Sequence, residues 1–123
     1  MTDAIDTSVW VTYFRGDRRT KRLIEEGELV TSTIAIAELA TLFAKQGMAF
    51  EKELLFIKSR AKIVPLTTGL ALDAARIKTA RRKEGRNFGL ADAMHYATAA
   101  HEKARLVTTD TDFKGMRQVL VLE

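Results

Sequence analysis

Short apolar segments alternate along the chain with longer segments that carry helical periodicity. Runs of β-branched and other apolar residues predict five strands, at Ala4–Ile5, Leu29–Thr31, Lys62–Val64, Arg105–Thr108 and Val119–Leu122. Apolar positions three or four residues apart predict six helices, at Ser8–Arg15, Arg18–Glu26, Ile34–Gln46, Phe50–Arg60, Gly69–Glu84 and Leu90–Lys103. This alternation is typical of an α/β fold, in which helices flank a mostly parallel central sheet.

The third predicted helix has one clear apolar face. The residues spaced for that face are Ala35, Leu39, Leu42 and Phe43, so we expect the face to pack on the sheet. Glu38 lies beside it, in the first turns of the helix. The pattern therefore places a carboxylate close to the end of the second strand.

The pattern contains no internal repeat, low-complexity tract or flexible linker, which predicts a single domain over residues 1–123. The longest apolar runs are four residues, too short to cross a membrane, and the first residues lack the basic and apolar regions of a signal peptide. The chain has no cysteine, which excludes a disulfide scaffold, a thiolate nucleophile and thiolate-bound zinc. We expect a cytoplasmic protein.

The charge balance is mildly basic. The chain has 20 Lys and Arg against 16 Asp and Glu, a formal net charge of +4. A basic balance favours an anionic partner such as nucleic acid or a membrane surface, although many basic proteins bind neither.

Four acidic residues follow predicted strands or lie near the starts of the helices after them. Asp6 follows the first strand, Glu38 lies in the helix after the second, Asp92 opens the sixth helix, and Asp110 follows the fourth strand. Open parallel sheets bind ligands beyond the carboxyl ends of their strands. This topology could therefore bring all four carboxylates to one edge of the sheet.

Each of these residues also has a purely structural interpretation. Asp6 suits a helix N-cap, and Glu38 would be favoured by the macrodipole at the start of its helix. Asp110 and Asp112 suit a turn, because Asp readily bonds the backbone two residues on. Asp92 lies among small apolar residues, where a carboxylate is costly unless it is paired or bound to metal. It is the set of four that favours a shared site.

Clustered carboxylates need a cation, because like charges a few ångströms apart raise each other's pKa. Oxygen ligands with no cysteine and only two histidines favour Mg²⁺ or Mn²⁺. Such an ion can activate a bound water and neutralise charge on a phosphoryl oxygen, which is the usual chemistry of metal-dependent phosphodiester hydrolysis.

Other hydrolase and metal-site patterns are incomplete in this chain. Haloacid-dehalogenase phosphatases carry a second Asp two residues after the first, where this chain has Ser8. An EF-hand loop starting at Asp110 fails at Lys114 and Val121. No Gly-Lys-Ser/Thr phosphate loop and no Gly-x-Ser-x-Gly motif is present.

Four short motifs follow one another in a fixed order along the chain. They are Asp6–Trp10 with Phe14–Gly16, then Ala37–Leu39, then Asp92–Ala99, then Val107–Phe113. In order, spacing and position the set resembles the PIN-domain nucleases, and within them the VapC-type toxins of prokaryotic toxin–antitoxin pairs. The first strand is shorter and more polar than the apolar strand typical of that family.

The resemblance implies a three-layer PIN-like α/β fold and a Mg²⁺- or Mn²⁺-dependent endoribonuclease that hydrolyses RNA phosphodiester bonds. Its leading interpretation is the toxin of a toxin–antitoxin pair. It also implies a homodimer and a cognate VapB-like antitoxin that covers the active site. Two alternatives stay open: a housekeeping PIN nuclease in RNA processing, and a non-catalytic PIN-like module that binds RNA or protein.

The resemblance also assigns roles to the acidic residues. The catalytic carboxylates are Asp6, Glu38, Asp92 and Asp110. Of these, Asp6 and Asp92 are the foremost direct metal ligands and Asp110 is the next, whereas Glu38 acts through water.

Three neighbouring residues are assigned supporting roles by the same resemblance. Ser8 and Thr108 are hydroxyls that hold carboxylates or waters. Asp112 is an auxiliary acid that could equally be a turn residue.

A basic segment precedes Asp92 along the chain. We expect it to contact RNA phosphates, or else to be a solvated helix end, and its candidate contacts are Arg81, Arg82, Lys83 and Arg86. With the four site acids set aside, 12 acidic residues face 20 basic ones, so the surface offered to a polyanion is nearer +8 than +4.

Other side chains have less specific interpretations. Trp10, Tyr13 and Phe14 are expected to pack the first helix, with a subunit contact as the alternative. His95 lies one helical turn after Asp92, so it is either a hydrogen-bond partner at the site or a satisfied core histidine.

Overall fold

Five strands and six helices make up the fold. The computed structural model describes all of residues 1–123. The strands are β1 (Thr2–Ile5), β2 (Glu28–Ser32), β3 (Ala61–Val64), β4 (Arg105–Thr108) and β5 (Val119–Val121). The helices are α1 (Thr7–Phe14), α2 (Arg18–Glu26), α3 (Thr33–Lys45), α4 (Glu51–Arg60), α5 (Thr68–Lys83) and α6 (Leu90–His101), with a 3-10 turn at Thr111–Phe113. Most boundaries lie within two residues of those predicted.

The strands form one sheet in the order β3-β2-β1-β4-β5, and every neighbouring pair is parallel. The predicted α/β fold with a parallel central sheet is therefore confirmed. Because all five strands run the same way, their carboxyl ends meet at a single edge of the sheet. The first strand, β1, lies at the centre of that sheet.

Helices cover both faces of the sheet. Successive side chains of a strand point to opposite faces, so the apolar residues of each strand need a covering layer on both sides. On one face Ala4 and Leu106 join an apolar cluster with α5 and α6. On the other face Ile5 and Val107 join a second cluster with residues of α1 to α4. The result is the expected three-layer arrangement of helices, sheet and helices.

The polar character of β1 has a structural explanation. Asp3 is 6% exposed, and its carboxylate accepts hydrogen bonds from the Arg105 guanidinium at 2.9 and 3.3 Å. Asp3 and Arg105 are register partners on the adjacent strands β1 and β4. This ion pair lets a central strand carry a buried carboxylate, so β1 begins at Thr2, two residues before the predicted start.

Trp10 attaches α1 to the sheet. Its side chain is fully buried, and its indole N–H donates to the Thr31 hydroxyl at 3.0 Å. Thr31 in turn donates to the Ile5 carbonyl at 2.7 Å. Trp10 is therefore a core residue, as expected, and offers no surface for a subunit contact. Tyr13 and Phe14 are half-buried and pack on Phe56 of α4.

The sixth helix ends earlier than predicted. It stops at His101, and Lys103 has a φ of 53°, in the left-handed region where glycine is usual. The Ala104 N–H bonds the Ala99 carbonyl and the Lys103 N–H bonds the Ala100 carbonyl. These two bonds close the helix even without a glycine stop signal, so the sequence pattern overestimated its length by two residues.

No helix of the structure is both long enough and apolar enough to span a membrane.

Candidate active site

The carboxyl ends of β1, β2 and β4 meet the starts of three helices at one edge of the sheet. Asp6 follows β1 directly, α3 follows β2, and Asp110 lies two residues after β4. The start of α6 joins them, because its His95 bonds Glu38 of α3 and lies 3.3 Å from the Thr7 hydroxyl of α1, and Asp92 is one turn earlier on the same helix. Helix N-termini carry partial positive charge, which favours carboxylates at this edge.

Asp6 is the N-cap of α1. Its Oδ1 atom accepts hydrogen bonds from the Val9 N–H at 3.1 Å and from the Ser8 hydroxyl at 2.6 Å. The residue is 5% exposed. The structural interpretation of Asp6 is therefore correct, and it leaves the second carboxylate oxygen, Oδ2, without a donor from the protein.

Ser8 connects the first motif to the last. Besides donating to Asp6, its hydroxyl accepts a hydrogen bond from the Thr109 N–H at 3.0 Å. Asp6 lies at the start of α1, and Thr109 lies just after β4. Ser8 thus holds the Asp6 carboxylate against the segment that leads to Asp110.

Asp110 is held by its own turn. The Thr108 hydroxyl accepts from the Asp110 N–H at 3.0 Å, and Oδ1 of Asp110 accepts from the Asp112 N–H at 2.8 Å. Thr108 is fully buried. Asp112 enters this turn through its backbone, while its side chain is exposed.

The pKa of Asp92 is raised above its ordinary value. Burial is the main cause, and the negative charges of Asp110 and Asp6 add to it. A hydrogen bond from the Gly89 N–H to Oδ2 at 3.3 Å acts in the opposite direction. Asp92 is therefore close enough to Asp110 and Asp6 for their negative charges to act on its carboxyl group.

Glu38 is engaged by two side chains from other helices. Its Oε1 atom accepts from the Thr7 hydroxyl at 2.6 Å and lies 2.8 Å from Nε2 of His95. The His95 hydrogen bond is the main cause of a lowered pKa at Glu38, against the opposing effect of burial. Both interpretations of His95 hold, since the residue is 5% exposed and also bonds a site carboxylate.

All four carboxylates share one feature. Each uses a single oxygen for its hydrogen bonds to the protein and leaves the other without a protein donor. None of these second oxygens is sealed from solvent. They are Oδ2 of Asp6, Oε2 of Glu38, Oδ1 of Asp92 and Oδ2 of Asp110.

This donor set fits a hard divalent cation in its chemistry, because Mg²⁺ and Mn²⁺ prefer carboxylate oxygens. The side chains do not stand as a finished ligand cage, since no three Asp, Glu, His or Cys residues lie close enough together to hold a metal ion. The assignment of Asp6, Asp92 and Asp110 as ligands therefore stays a prediction.

Arg81 differs from its basic neighbours because it is buried. It is 9% exposed, its guanidinium lies 5.3 Å from the centre of the Phe88 ring, and its Nη2 donates to the Asp112 carbonyl at 2.7 Å. A guanidinium held in this way already has partners within the protein, so its placement gives no support to the expectation that Arg81 contacts substrate. Arg81 instead ties the end of α5 to the turn that carries Asp110.

Three other candidate contacts of that segment are exposed. They are Arg82, Lys83 and Arg86. Because Arg81 bonds the Asp112 carbonyl, the segment is attached at its first residue to the turn that carries Asp110, and its contact with RNA stays a prediction.

Sequence reasoning missed two contributors. The sequence identifies Thr7 only as part of a motif, yet its hydroxyl donates to Glu38, which is 31 positions away in sequence. Arg81 was grouped with its basic neighbours, because a run of Lys and Arg carries no signal of which member is buried. The aromatic Phe88 nearby was the one available clue.

A parallel α/β sheet with carboxylates at the carboxyl ends of its central strands defines a class of proteins that bind ligands at that edge. A model of the PIN domain matches residues 4–118. The chain belongs to the PIN domain family, and the family resemblance drawn from its motifs is confirmed. No curated relative matches the sequence.

Several solved structures share the fold over nearly the whole chain. A toxin–antitoxin complex from Klebsiella pneumoniae contains a chain that matches with a TM-score of 0.80 at 21% identity, over 97% of this chain and 96% of that one. FitAcB from Neisseria gonorrhoeae matches with a TM-score of 0.75 at 22% identity, over 98% and 96%. VapC20 from Mycobacterium tuberculosis, a toxin that cleaves the sarcin–ricin loop, matches with a TM-score of 0.73 at 21% identity, over 94% and 95%.

Proposed function

We propose that this protein is a Mg²⁺- or Mn²⁺-dependent endoribonuclease and the toxin of a toxin–antitoxin pair. The observation that carries the proposal is the set of four carboxylates at the carboxyl edge of a PIN fold, each with one oxygen free of protein donors. The basic segment around Arg82 is exposed, and its buried member Arg81 bonds the turn that carries Asp110, which supports a polyanionic substrate.

Asp6, Asp92 and Asp110 would hold the metal through their free oxygens, and Glu38 would orient a water. When bound, a divalent ion supplies a more acidic water and neutralises charge on the phosphoryl oxygens. The Ser8 hydroxyl and the Val9 N–H hold the Asp6 carboxylate. The Asp112 N–H holds the Asp110 carboxylate, and the Thr108 hydroxyl accepts from the Asp110 backbone N–H. Without a cation the same negative charges repel an RNA backbone.

Removing divalent ions is expected to abolish cleavage. We expect cleavage of a panel of structured RNAs with Mn²⁺ or Mg²⁺, and no cleavage with excess chelator. Cleavage should recover when Mn²⁺ is restored, because the carboxylates alone offer no Lewis acid. Cleavage is measured by gel electrophoresis of end-labelled RNA. A chain that cleaves equally well in chelator would contradict the metal-carboxylate mechanism.

Neutralising the exposed basic segment is expected to weaken RNA binding and to reduce its salt dependence. The variant replaces Arg82, Lys83 and Arg86 with Gln. Loss of three phosphate contacts should lower the slope of log affinity against log salt by about 2 for single-stranded RNA. Fluorescence anisotropy in chelator measures the slope without cleavage.

A charge-matched variant at the opposite edge of the sheet is the control. It replaces Arg22, Lys58 and Lys62 with Gln. Arg22 lies at the middle of α2 and Lys58 in the last turn of α4, and these two helices lead into the starts of β2 and β3. Equal loss of salt dependence in both variants would mean that net charge, rather than the basic segment, attracts the RNA.

The assignment as a toxin rests on what its structural neighbours are. Several of them come from toxin–antitoxin complexes, including one from Klebsiella pneumoniae and VapBC-1 from nontypeable Haemophilus influenzae. We therefore propose a VapB-like antitoxin that covers the active site, and a homodimer of this chain. A small reading frame beside the gene that encodes a DNA-binding or acidic-tailed protein would favour this role over housekeeping RNA processing.

A further inference from the structure

Three helices meet at one oxygen of Glu38. Thr7 of α1 donates to Oε1 at 2.6 Å, and Nε2 of His95 on α6 lies 2.8 Å from the same atom. The two donors are themselves 3.3 Å apart. Glu38 of α3 is therefore bonded to residues 31 and 57 positions away in sequence. Two hydrogen bonds from different helices hold this oxygen, and the other oxygen of Glu38 is left without a protein donor.

His95 and Glu38 differ in exposure: the hydrogen-bond donor is buried and the carboxylate that accepts from it is partly exposed. The His95 side chain is 4% exposed, whereas the Glu38 side chain is 40% exposed. His95 is packed in α6, the helix that also carries Asp92 one turn earlier. The buried His95 ring is thus hydrogen-bonded to the carboxylate of Glu38, which is partly exposed to solvent.

We propose that His95, together with Thr7, is a positioning residue that holds Oε1 of Glu38 and thereby points Oε2 into the acidic site. The proposal rests on the proposed nuclease function. It assigns His95 no contact with RNA, metal or water. Its effect on the reaction passes through Glu38 alone.

The electrostatics agree with this geometry. The hydrogen bond from His95 is the largest of the influences that hold the pKa of Glu38 below its ordinary value, and Thr7 acts in the same direction. His95 bonds a partly exposed carboxylate on another helix, and a second donor shares that oxygen.

The test compares two replacements of His95 in the full chain. His95→Leu fills a similar volume without a donor, whereas His95→Gln keeps an N–H at a similar reach. We expect His95→Leu to lower the single-turnover rate of RNA cleavage about 10- to 100-fold, as loss of a group that orients an active-site ligand does, and His95→Gln to keep most of the rate. RNA affinity in chelator should be unchanged in both.

Glu38→Gln tells whether His95 acts through Glu38. Adding His95→Leu to Glu38→Gln should cause little further loss, because a residue that acts only through Glu38 has nothing left to position. Thr7→Val, which removes the other donor to the same oxygen, should lower the rate in the same direction and serves where His95→Leu does not fold. Full additivity of the His95 and Glu38 effects would overturn the proposal.

A second measurement does not depend on activity. Carboxyl NMR of the metal-free protein should show the pKa of Glu38 rising in His95→Leu and staying low in His95→Gln. A wild-type rate in His95→Leu, or an unchanged Glu38 pKa, would overturn the proposal. If the wild type cleaves no RNA, the proposed function fails, and the NMR measurement still decides whether His95 holds Glu38.

Discussion

Replacing Asp92 with Asn should abolish RNA cleavage while making the folded protein more stable at neutral pH. Asn keeps an oxygen for the Gly89 N–H but removes the charge that would hold a metal. Since groups that merely orient metal ligands are worth about 10- to 100-fold, loss of a ligand itself should exceed about 100-fold. Single-turnover cleavage with Mn²⁺ measures the first effect, and thermal unfolding measures the second.

The stability effect has a definite pH dependence. Because the pKa of Asp92 is raised in the fold, the folded state binds more protons than the unfolded chain between the ordinary value of 3.8 and the raised pKa. Folding stability of the wild type therefore falls as the pH rises through that window. The advantage of Asp92→Asn should be present above it and should vanish below a pH near 3.8.

Asp73→Asn is the matched control for this prediction. Asp73 is an exposed residue of α5 that pairs with Arg76 on the same helix. The same chemical change there should leave both cleavage and unfolding nearly unchanged. Asp92→Asn that cleaves within a few-fold of the wild type, or that is less stable at pH 7, would contradict the assignment of Asp92 to a crowded acidic site.

The second large effect is expected at Trp10. Trp10→Ala should lower the free energy of unfolding by about 3–5 kcal/mol, because it removes a fully buried ring and leaves a cavity beneath α1. Trp10→Phe keeps most of that volume and loses the hydrogen bond to Thr31, which is worth about 1 kcal/mol. Denaturant unfolding followed by circular dichroism measures both changes.

An exposed apolar residue provides the comparison for Trp10. Leu72 of α5 is 55% exposed, so Leu72→Ala should change the free energy of unfolding by less than about 0.5 kcal/mol. Because α1 also carries Thr7 and is capped by Asp6, a loosened α1 should reduce cleavage in Trp10→Ala as well. Trp10→Ala with the stability of Leu72→Ala would mean that α1 is not attached to the sheet through Trp10.

Much of the fold follows from short-range patterns. The alternation of apolar segments placed all five strands and six helices close to their observed bounds. The largest miss at a helix end was the end of α6, where Lys103 takes a left-handed conformation usually left to glycine. The hydrogen bonds that close α6 determine where it ends, and no residue type in the sequence predicts them.

The candidate site was predictable only in part. The motifs and strand ends singled out Asp6, Asp92 and Asp110, and the pKa of Asp92 records the charges of the other two. The hydrogen bond between His95 and Glu38 could not be read from a chain in which 57 residues separate them. Periodicity shows which face of a helix is apolar, but not which side chain of another helix lies opposite a given position.

The sequence by itself determined the class of fold, the edge at which carboxylates collect and the family to which the chain belongs. These depend on local patterns, since strand and helix propensities act over short stretches and the parallel direction of the strands follows from repeated rules of connection. Only the tertiary structure decided the parts played by His95 and Arg81. Each is a polar side chain buried against partners that are distant in sequence. His95 bonds Glu38, and Arg81 contacts Phe88 and Asp112. Burial of this kind is a property of how helices pack in three dimensions, and a run of residue types does not contain it.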